Sequence, residues 1–382
     1  MRRHAMSNAY LIAGLGYGDE GKGATVDFIC RTRQIALVVR YNGGSQSSHA
    51  VVCPDGKVHT FAQFGSGMFV PSVRTHLSRF MLVDPQTMMC EEQCLRDLGI
   101  TDAFKRTSVD ERCVIITPFQ RAVNRIQLLV KGGHNSCGMG VGQARADHIF
   151  HGDKVLFARD TQEDPKELHR KVRFIQKISQ KAVEKFKHYS DSCKEYIEYL
   201  YDPDAVGRYL ADLIQWQQQV TLVRGMDLRA KNGDDIVFEG AQGVLLDEKH
   251  GEPEFNTWTN TTFENAFTLL NESRFQGSIK KIGVTRTYLT RHGDGPFKTE
   301  DATLTYPEPH NEDDGSQGKF RRGHFDLSLI KRAIDIVGGI DGVALNHLDV
   351  NKNFFTRENS EIEQLAFIRG YGPTANDREW TE

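Results

Sequence analysis

Ten residues near the start of the chain carry the densest chemistry in it. Gly14-Leu15-Gly16-Tyr17-Gly18-Asp19-Glu20-Gly21-Lys22-Gly23 places five glycines, two carboxylates and a lysine in one loop. Glycines let backbone N–H groups turn inward around phosphate oxygens, and a lysine adds a point charge there. Residues 16–22 fit GxxxxGK, but Gly23 stands where a P-loop has the Ser or Thr whose hydroxyl holds magnesium. Another ligand is then needed, and Asp19, inside the loop, is the candidate. A tight turn needing positive φ would explain the glycines but not the embedded Asp, Glu and Lys. A dinucleotide fingerprint fails, because Asp19 stands where its third glycine belongs.

Such a loop needs a strand before it and a helix after it. Tyr10-Leu11-Ile12-Ala13 is an apolar run, and residues 25–30 have helical spacing, so strand, glycine loop, helix is the expected order. Residues 35–39 read as the next buried parallel strand, and the runs at 112–116, 235–238, 282–284 and 342–345 repeat that look. Strands separated by long helical stretches predict an α/β fold with a mostly parallel central sheet and flanking helices, P-loop NTPase-like. Residues 164–220 are rich in Lys, Glu, Gln and Leu, with Pro203 as a break. They predict a helical insertion, spanning about 160–222, within a single domain of 1–382.

Composition removes several classes of protein. The net charge is −3, from 48 basic and 51 acidic residues, so no overall basic field points to nucleic acid. No run of about 18 apolar residues is present, which argues against a membrane span. Seven scattered cysteines without a CxxC pair read as reduced thiols of a cytoplasmic protein, not a disulfide frame or zinc site.

Further motifs follow in order. Residues 18–23 read GDEGKG and residues 40–49 read RYNGGSQSSH. Residues 238–247 read FEGAQGVLLD, followed by His250-Gly251, Thr257 and Asn260-Thr261-Thr262. Residues 283–300 fit GVxxxYxTRxGxGPFxTE, and 322–326, 341–345 and Gly372-Pro373 complete the series. With this set the chain resembles the adenylosuccinate synthetases. These enzymes join L-aspartate to the 6-position of a purine nucleotide, through a 6-phosphoryl intermediate and at the expense of a nucleoside triphosphate. The resemblance implies Asp19 as the base that takes the N1 proton, His49 as the acid at the transferring phosphate, and Lys22 on phosphate. Magnesium would sit on Asp19 and the Ser48 carbonyl. The triphosphate, ATP or GTP, would meet Gly18, Glu20, Gly21, Gly23, Ser48, Arg321, Asn346, His347, Asp349, Gly372 and Pro373. The purine monophosphate would meet Gln46, Ser136, Cys137, Gln242, Thr257 and His151. Aspartate would meet Ser316, Gln317, Gly318 and Lys319. A homodimer is implied, with residues 145–151 beside the neighbour's site.

Departures from the family pattern cluster on positions facing substrate. NAGH becomes Gln46-Ser47-Ser48-His49, TTGRG becomes Ser136-Cys137-Gly138-Met139-Gly140, TTGRxR ends in Gly318-Lys319-Phe320-Arg321, and TKLD becomes Asn346-His347-Leu348-Asp349. Residues 59–67, Ser45-Gln46 and the 318–321 loop look more like the phage-type 2-aminoadenylosuccinate synthetases, which use dGMP. A housekeeping enzyme using IMP and GTP is the alternative within the family. Outside it stand a nonenzymatic nucleotide-binding regulator, disfavoured by the presence of Asp19 and His49, and a GTPase-like switch, disfavoured by Gly23.

Overall fold

The apolar run at residues 10–13 forms the heart of β1 (Asn8–Gly14), and the glycine loop leads from it into α1 (Lys22–Thr32). The computed structural model describes residues 7–131, 136–186, 191–226, 234–309, 318–351 and 353–381. The other strands are β2 (Ile35–Arg40), β3 (His49–Val52), β4 (Val58–Phe61), β5 (Arg74–Leu77), β6 (Leu82–Val83), β7 (Thr107–Asp110), β8 (Val114–Ile115), β9 (Thr221–Val223), β10 (Asp235–Gly243), β11 (Ser278–Arg286), β12 (Leu289–His292), β13 (Phe320–Gly323), β14 (Gly342–Asn346), β15 (Ala366–Gly370) and β16 (Arg378–Trp380). The longer helices after α1 are α2 (Pro85–Asp97), α3 (Pro118–Lys131), α4 (Val141–His151), α5 (Pro165–Val183), α6 (Lys194–Tyr201), α7 (Ala205–Gln219), α8 (Glu264–Glu272) and α9 (Leu327–Ile336), with the short α10 (Ser360–Gln364) before β15.

Ten strands make one sheet in the order β16-β15-β14-β11-β1-β10-β2-β5-β7-β9. Every neighbouring pair is parallel except the edge pair β15/β16. This is the α/β architecture expected from the sequence. β1 lies between β10 and β11, covered on both faces, which is why it reads as a continuous apolar run. Between Ile12 and Gly14 the β1/β10 register shifts, and the surplus residues of β10 carry Gln242 out of the ladder. Gly243 lets the phosphate loop lie on that bulge: a Cβ there would come within 2.1 Å of the Gly16 carbonyl oxygen.

The run at 112–116 is not a strand of the main sheet. β7 ends at Asp110, whose carboxylate receives Arg112 Nε at 2.9 Å and Nη2 at 2.7 Å, so the chain turns there. Only Val114 and Ile115 pair afterwards, with β6. The described residues of 160–222 hold α5, α6 and α7, with Pro203 in the break between α6 and α7, before β9 opens at Thr221. Ile175, Tyr209 and Trp216 share one apolar cluster with Phe61, Leu95 and Phe119, so these helices cover the β5–β7–β9 half of the sheet. The seven cysteines form no disulfide among the described residues. Among the described residues no helix is long and apolar enough to cross a membrane.

Candidate active site

A cavity of about 940 Å³ opens beyond the C-terminal ends of β1, β2, β10, β11, β14 and β15. That is where parallel α/β sheets bind ligands, because their connecting loops diverge there. Among the described residues, five non-glycines have positive φ, and four of them line this cavity: Asp19 (61°), Gln242 (57°), Glu254 (70°) and His347 (64°). Left-handed backbone at residues with a side chain is costly and collects at functional sites.

The glycine loop is folded from within by Glu20. Its Oε1 accepts the amides of Gly16 at 3.0 Å and Gly18 at 2.8 Å, and its Oε2 lies 2.5 Å from Lys22 Nζ. Asn346 holds the loop from behind, donating Nδ2 to the Glu20 carbonyl at 2.8 Å. Glu20 and Asn346 are therefore buried supports behind the cavity wall, not parts of its lining. α1 starts at Gly21 with no side-chain cap, so its first amides keep no partner from a capping side chain. A Cβ on Gly23 would stand 2.9 Å from His49 Cβ and 3.1 Å from the Ala50 carbonyl oxygen. The P-loop hydroxyl is missing because β3 crosses at that point.

His49 opens β3 and turns Nδ1 onto Glu239 Oε1 at 2.5 Å. Glu239 is fully buried in the middle of β10 and also takes the Ser66 amide at 2.9 Å and the Ser66 hydroxyl. Burial opposes ionisation of Glu239, but the charge of Arg40 and the hydrogen bonds from His49 and Ser66 hold its carboxyl at about 2. Burial pushes His49 below the usual histidine value, against the pull of Glu239. With Nδ1 turned onto Glu239, Nε2 is the ring nitrogen left for the cavity. Asp19 stands across the loop, with Oδ2 3.2 Å from His292 Nε2 and its carbonyl taken by Arg286 Nε. Burial works against its charge, but the His292 hydrogen bond and the nearby charges of His292, Arg286 and Lys22 hold it below the ordinary carboxylate value.

The far wall is looser. Asn124 Oδ1 receives the Ser136 hydroxyl at 3.1 Å and the Gly140 amide at 3.0 Å, shaping the loop that presents Ser136, Cys137 and Met139. Trp258, 52% exposed, leans over α4 at Gly142. At the other end, His347 meets the Tyr288 ring edge-on and Asp349 is exposed beside Gly372 and Pro373. Arg378 Nη1 pins the Gly372 and Thr374 carbonyls at 2.8 Å each.

The cavity gathers Gly18, Asp19, Gly21, Lys22, Gly23, Gln46, Ser48 and His49 from the loops after β1 and β2. From later loops it gathers Ser136, Cys137, Gln242, Thr257, His347, Asp349, Gly372 and Pro373. Arg321 is outside it, bonded to Glu300 at 2.8 Å and to the Gly295 carbonyl at 2.9 Å. Gly318 and the exposed Lys319 are outside it as well, and His151 packs its ring on Phe174. Ser316 and Gln317 lie outside the described residues. Glu239, Arg286, His292, Glu308 and Arg378 had no role from sequence. A carboxylate inside the apolar stretch 236–241 was the available sign for Glu239, since a buried charge demands partners. Four buried oxygens near the lining, of Ser45, Gln46, Ser47 and Gln242, have no hydrogen-bond partner among the described residues. Such groups are normally satisfied by a ligand or solvent.

Phosphate loop, paired carboxylate and histidine, and a cavity at the sheet's C-terminal edge together define an α/β enzyme that handles nucleotide phosphates. The chain belongs to the adenylosuccinate synthetase family, whose profile matches residues 11–356. It is 30% identical to the adenylosuccinate synthetase of Haemophilus influenzae over 382 aligned residues, covering 94% of this chain and 83% of that one. It is 32% identical to that of Tolumonas auensis over 355, covering 90% and 78%. Two solved structures share its fold. A fully ligated adenylosuccinate synthetase from Plasmodium falciparum superposes with a TM-score of 0.75 at 16% identity, covering 98% of this chain and 99% of that one. A succinoaminodeoxyadenylate synthetase from cyanophage S-2L, bound to dGMP and dATP, superposes with a TM-score of 0.70 at 18% identity, covering 98% and 96%. The chain is a carbon–nitrogen ligase of the adenylosuccinate synthetase type.

Proposed function

We propose that the enzyme joins L-aspartate to the 6-position of dGMP. Asp19 takes the N1 proton, O6 is phosphorylated by a nucleoside triphosphate, and the aspartate amine then displaces phosphate. The reaction itself is carried by one observation: Asp19, Lys22 and His49, the last held by the buried Glu239, line the same cavity. Asp19 gathers negative charge on the purine, while His49, oriented by Glu239, supplies a donor where charge develops on the transferred group. Removing the N1 proton makes O6 nucleophilic. Magnesium fits this donor set, with Asp19 and the Ser48 carbonyl beside oxygens of the substrates, since this ion takes few protein ligands. It would neutralise phosphate charge during transfer.

The acceptor choice rests on the loop at 318–320. Lys319 is exposed and outside the cavity, and Phe320 is buried against His292, so this stretch presents no guanidinium to a ribose 2′-hydroxyl. A buried hydroxyl without a partner costs about 1–3 kcal/mol, which favours a deoxyribose. The guanine part rests on resemblance to the phage-type enzymes. For the donor, Asp349 stands exposed at the cavity edge, where a carboxylate can accept from guanine N1 and the 2-amino group; this supports GTP over ATP. The reading includes a homodimer. α4 exposes Ile149 (59%) and Phe150 (81%), an apolar face that a second copy would cover.

A matrix of IMP, dIMP, GMP and dGMP against ATP, dATP and GTP, read by mass for the succinyl adduct, tests both choices. dGMP with GTP should give the highest kcat/KM, and omitting aspartate should abolish product. Ribonucleotides winning both sugar comparisons would replace this reading with an IMP-using synthetase.

A further inference from the structure

Asp19 is held at both ends by two residues from one short stretch of chain. Arg286, the last residue of β11, donates Nε to the Asp19 carbonyl. His292, the last residue of β12, meets the Asp19 carboxylate with Nε2 3.2 Å from Oδ2. The shared motif GVxxxYxTRxG leaves both positions open, and neither is needed to build the glycine loop, which Glu20 and Asn346 already hold.

Each arm is itself braced. The Arg286 guanidinium is 5% exposed and is gripped by Glu308 and by the Tyr288 hydroxyl, 2.9 Å away. The His292 ring packs edge-on against Phe320, its cross-strand partner in the β12/β13 pair, at 4.8 Å. The residue between the arms sits at φ 61°, a left-handed conformation that is unfavourable for a residue with a side chain. A carboxylate on a strained glycine-rich loop would otherwise sample several rotamers.

We propose that Arg286 and His292 form a clamp that positions Asp19, fixing its backbone in the left-handed region and its carboxylate toward the purine edge. Arg286 sets the peptide, and His292 sets the carboxylate through one oxygen, so the other is left for the N1 proton. The clamp needs the imidazole only as a hydrogen-bond donor. His292 and Arg286 are positioning residues that act through Asp19. The inference rests on the reading of Asp19 as the base.

A kinetic double-mutant cycle tests it, with aspartate and triphosphate saturating and the purine monophosphate varied. His292→Val should lower kcat about 10- to 100-fold, the scale of a catalytic group displaced by a fraction of an ångström, and change acceptor KM less than about threefold. His292→Asn, which keeps a donor, should recover kcat to within about fivefold of wild type. In an Asp19→Asn background, where the base is already lost, His292→Val should cost less than about twofold. Equal losses in both backgrounds, or wild-type kcat in His292→Val, overturns the clamp. Should His292→Val melt early, Arg286→Lys carries the same cycle: it keeps the charge but loses the fork that reaches both Asp19 and Glu308, and additivity with Asp19→Asn again overturns the proposal. Full activity in Asp19→Asn sinks the base assignment itself, whereas an impaired Asp19→Asn with a neutral His292→Val sinks only the clamp.

Discussion

The two walls of the cavity are built on different principles. On the sheet side, Glu20, His49, Glu239 and Asn346 are buried, and each makes side-chain hydrogen bonds to residues that are themselves held. On the far side, Leu128, Met139 and Trp258 meet the same space with apolar surface, and directional bonds are few. Proton and phosphoryl transfer need positions fixed to a fraction of an ångström, and a substrate's shape can be met by surfaces that adjust. The departures from the family pattern at Gln46, Ser136, Met139, Lys319 and His347 fall outside the buried network, whereas Asn346, where the family has Thr, lies within it.

Substitutions on the two walls should separate rate from affinity. The largest effect is expected at Asp19. Asp19→Asn should cut kcat by about 10² or more, with the melting temperature moved by no more than about a few degrees. Calorimetry beside initial rates checks both halves; a variant that unfolds early would move Asp19 from chemistry to scaffolding.

Next comes Glu239→Gln, which keeps the shape but removes the charge that orients His49. A loss of about 10- to 100-fold in kcat is expected, with unchanged acceptor KM. The same variant has a pH signature. Glu239 titrates at about 2 when folded, against an ordinary value of 4.5, so its contribution to stability is complete above about pH 4.5 and is lost as pH falls toward 2. The stability gap between wild type and Glu239→Gln should shrink by up to roughly 3 kcal/mol across that range. Urea titrations at pH 5, 4 and 3 measure it, and a constant gap contradicts the assignment.

Gly23→Ser restores the residue type of a standard P-loop. Because the new side chain meets β3 at His49 and Ala50, overpacking should cost about 1–3 kcal/mol and displace His49, lowering both melting temperature and rate. An active, stable Gly23→Ser would show that β3 can retreat. The smallest effect is expected on the far wall. Trp258→Ala should leave kcat within about twofold while raising acceptor KM a few-fold, since it removes contact surface without touching the network. If kcat falls as it does for Glu239→Gln, the contrast between the walls is not real.

The phosphate loop was legible in sequence because its chemistry is written in the spacing of backbone-permissive residues within ten positions. The central strands and the long helices were legible from apolar runs and helical spacing. Partnerships were not. His49 and Glu239 are 190 residues apart, and Asp19 and Arg286 are 267 apart, so no local pattern ties them. Nor did local pattern separate a strand from a turn at 112–116, where the decision belongs to the Asp110 carboxylate. His151, Arg321 and Lys319 were placed on substrate by resemblance alone; in this chain His151 packs on Phe174, Arg321 bonds the Gly295 carbonyl, Lys319 is exposed, and none of the three lines the cavity.

β1 pairs only with β10 and β11, strands that lie more than 220 residues further along the chain. The loop that should grip phosphate is among the first segments made, yet its strand has no ladder partner until residue 235 and its Asp19 has no clamp until residue 292. At about 5–20 residues per second, that leaves the segment waiting for tens of seconds on the ribosome. Closing such distant pairs is slow, and an unpaired apolar strand is an aggregation hazard in the meantime. The nascent chain therefore has its catalytic loop assembled late, its supports complete only when β11, β12 and Asn346 of β14 have emerged.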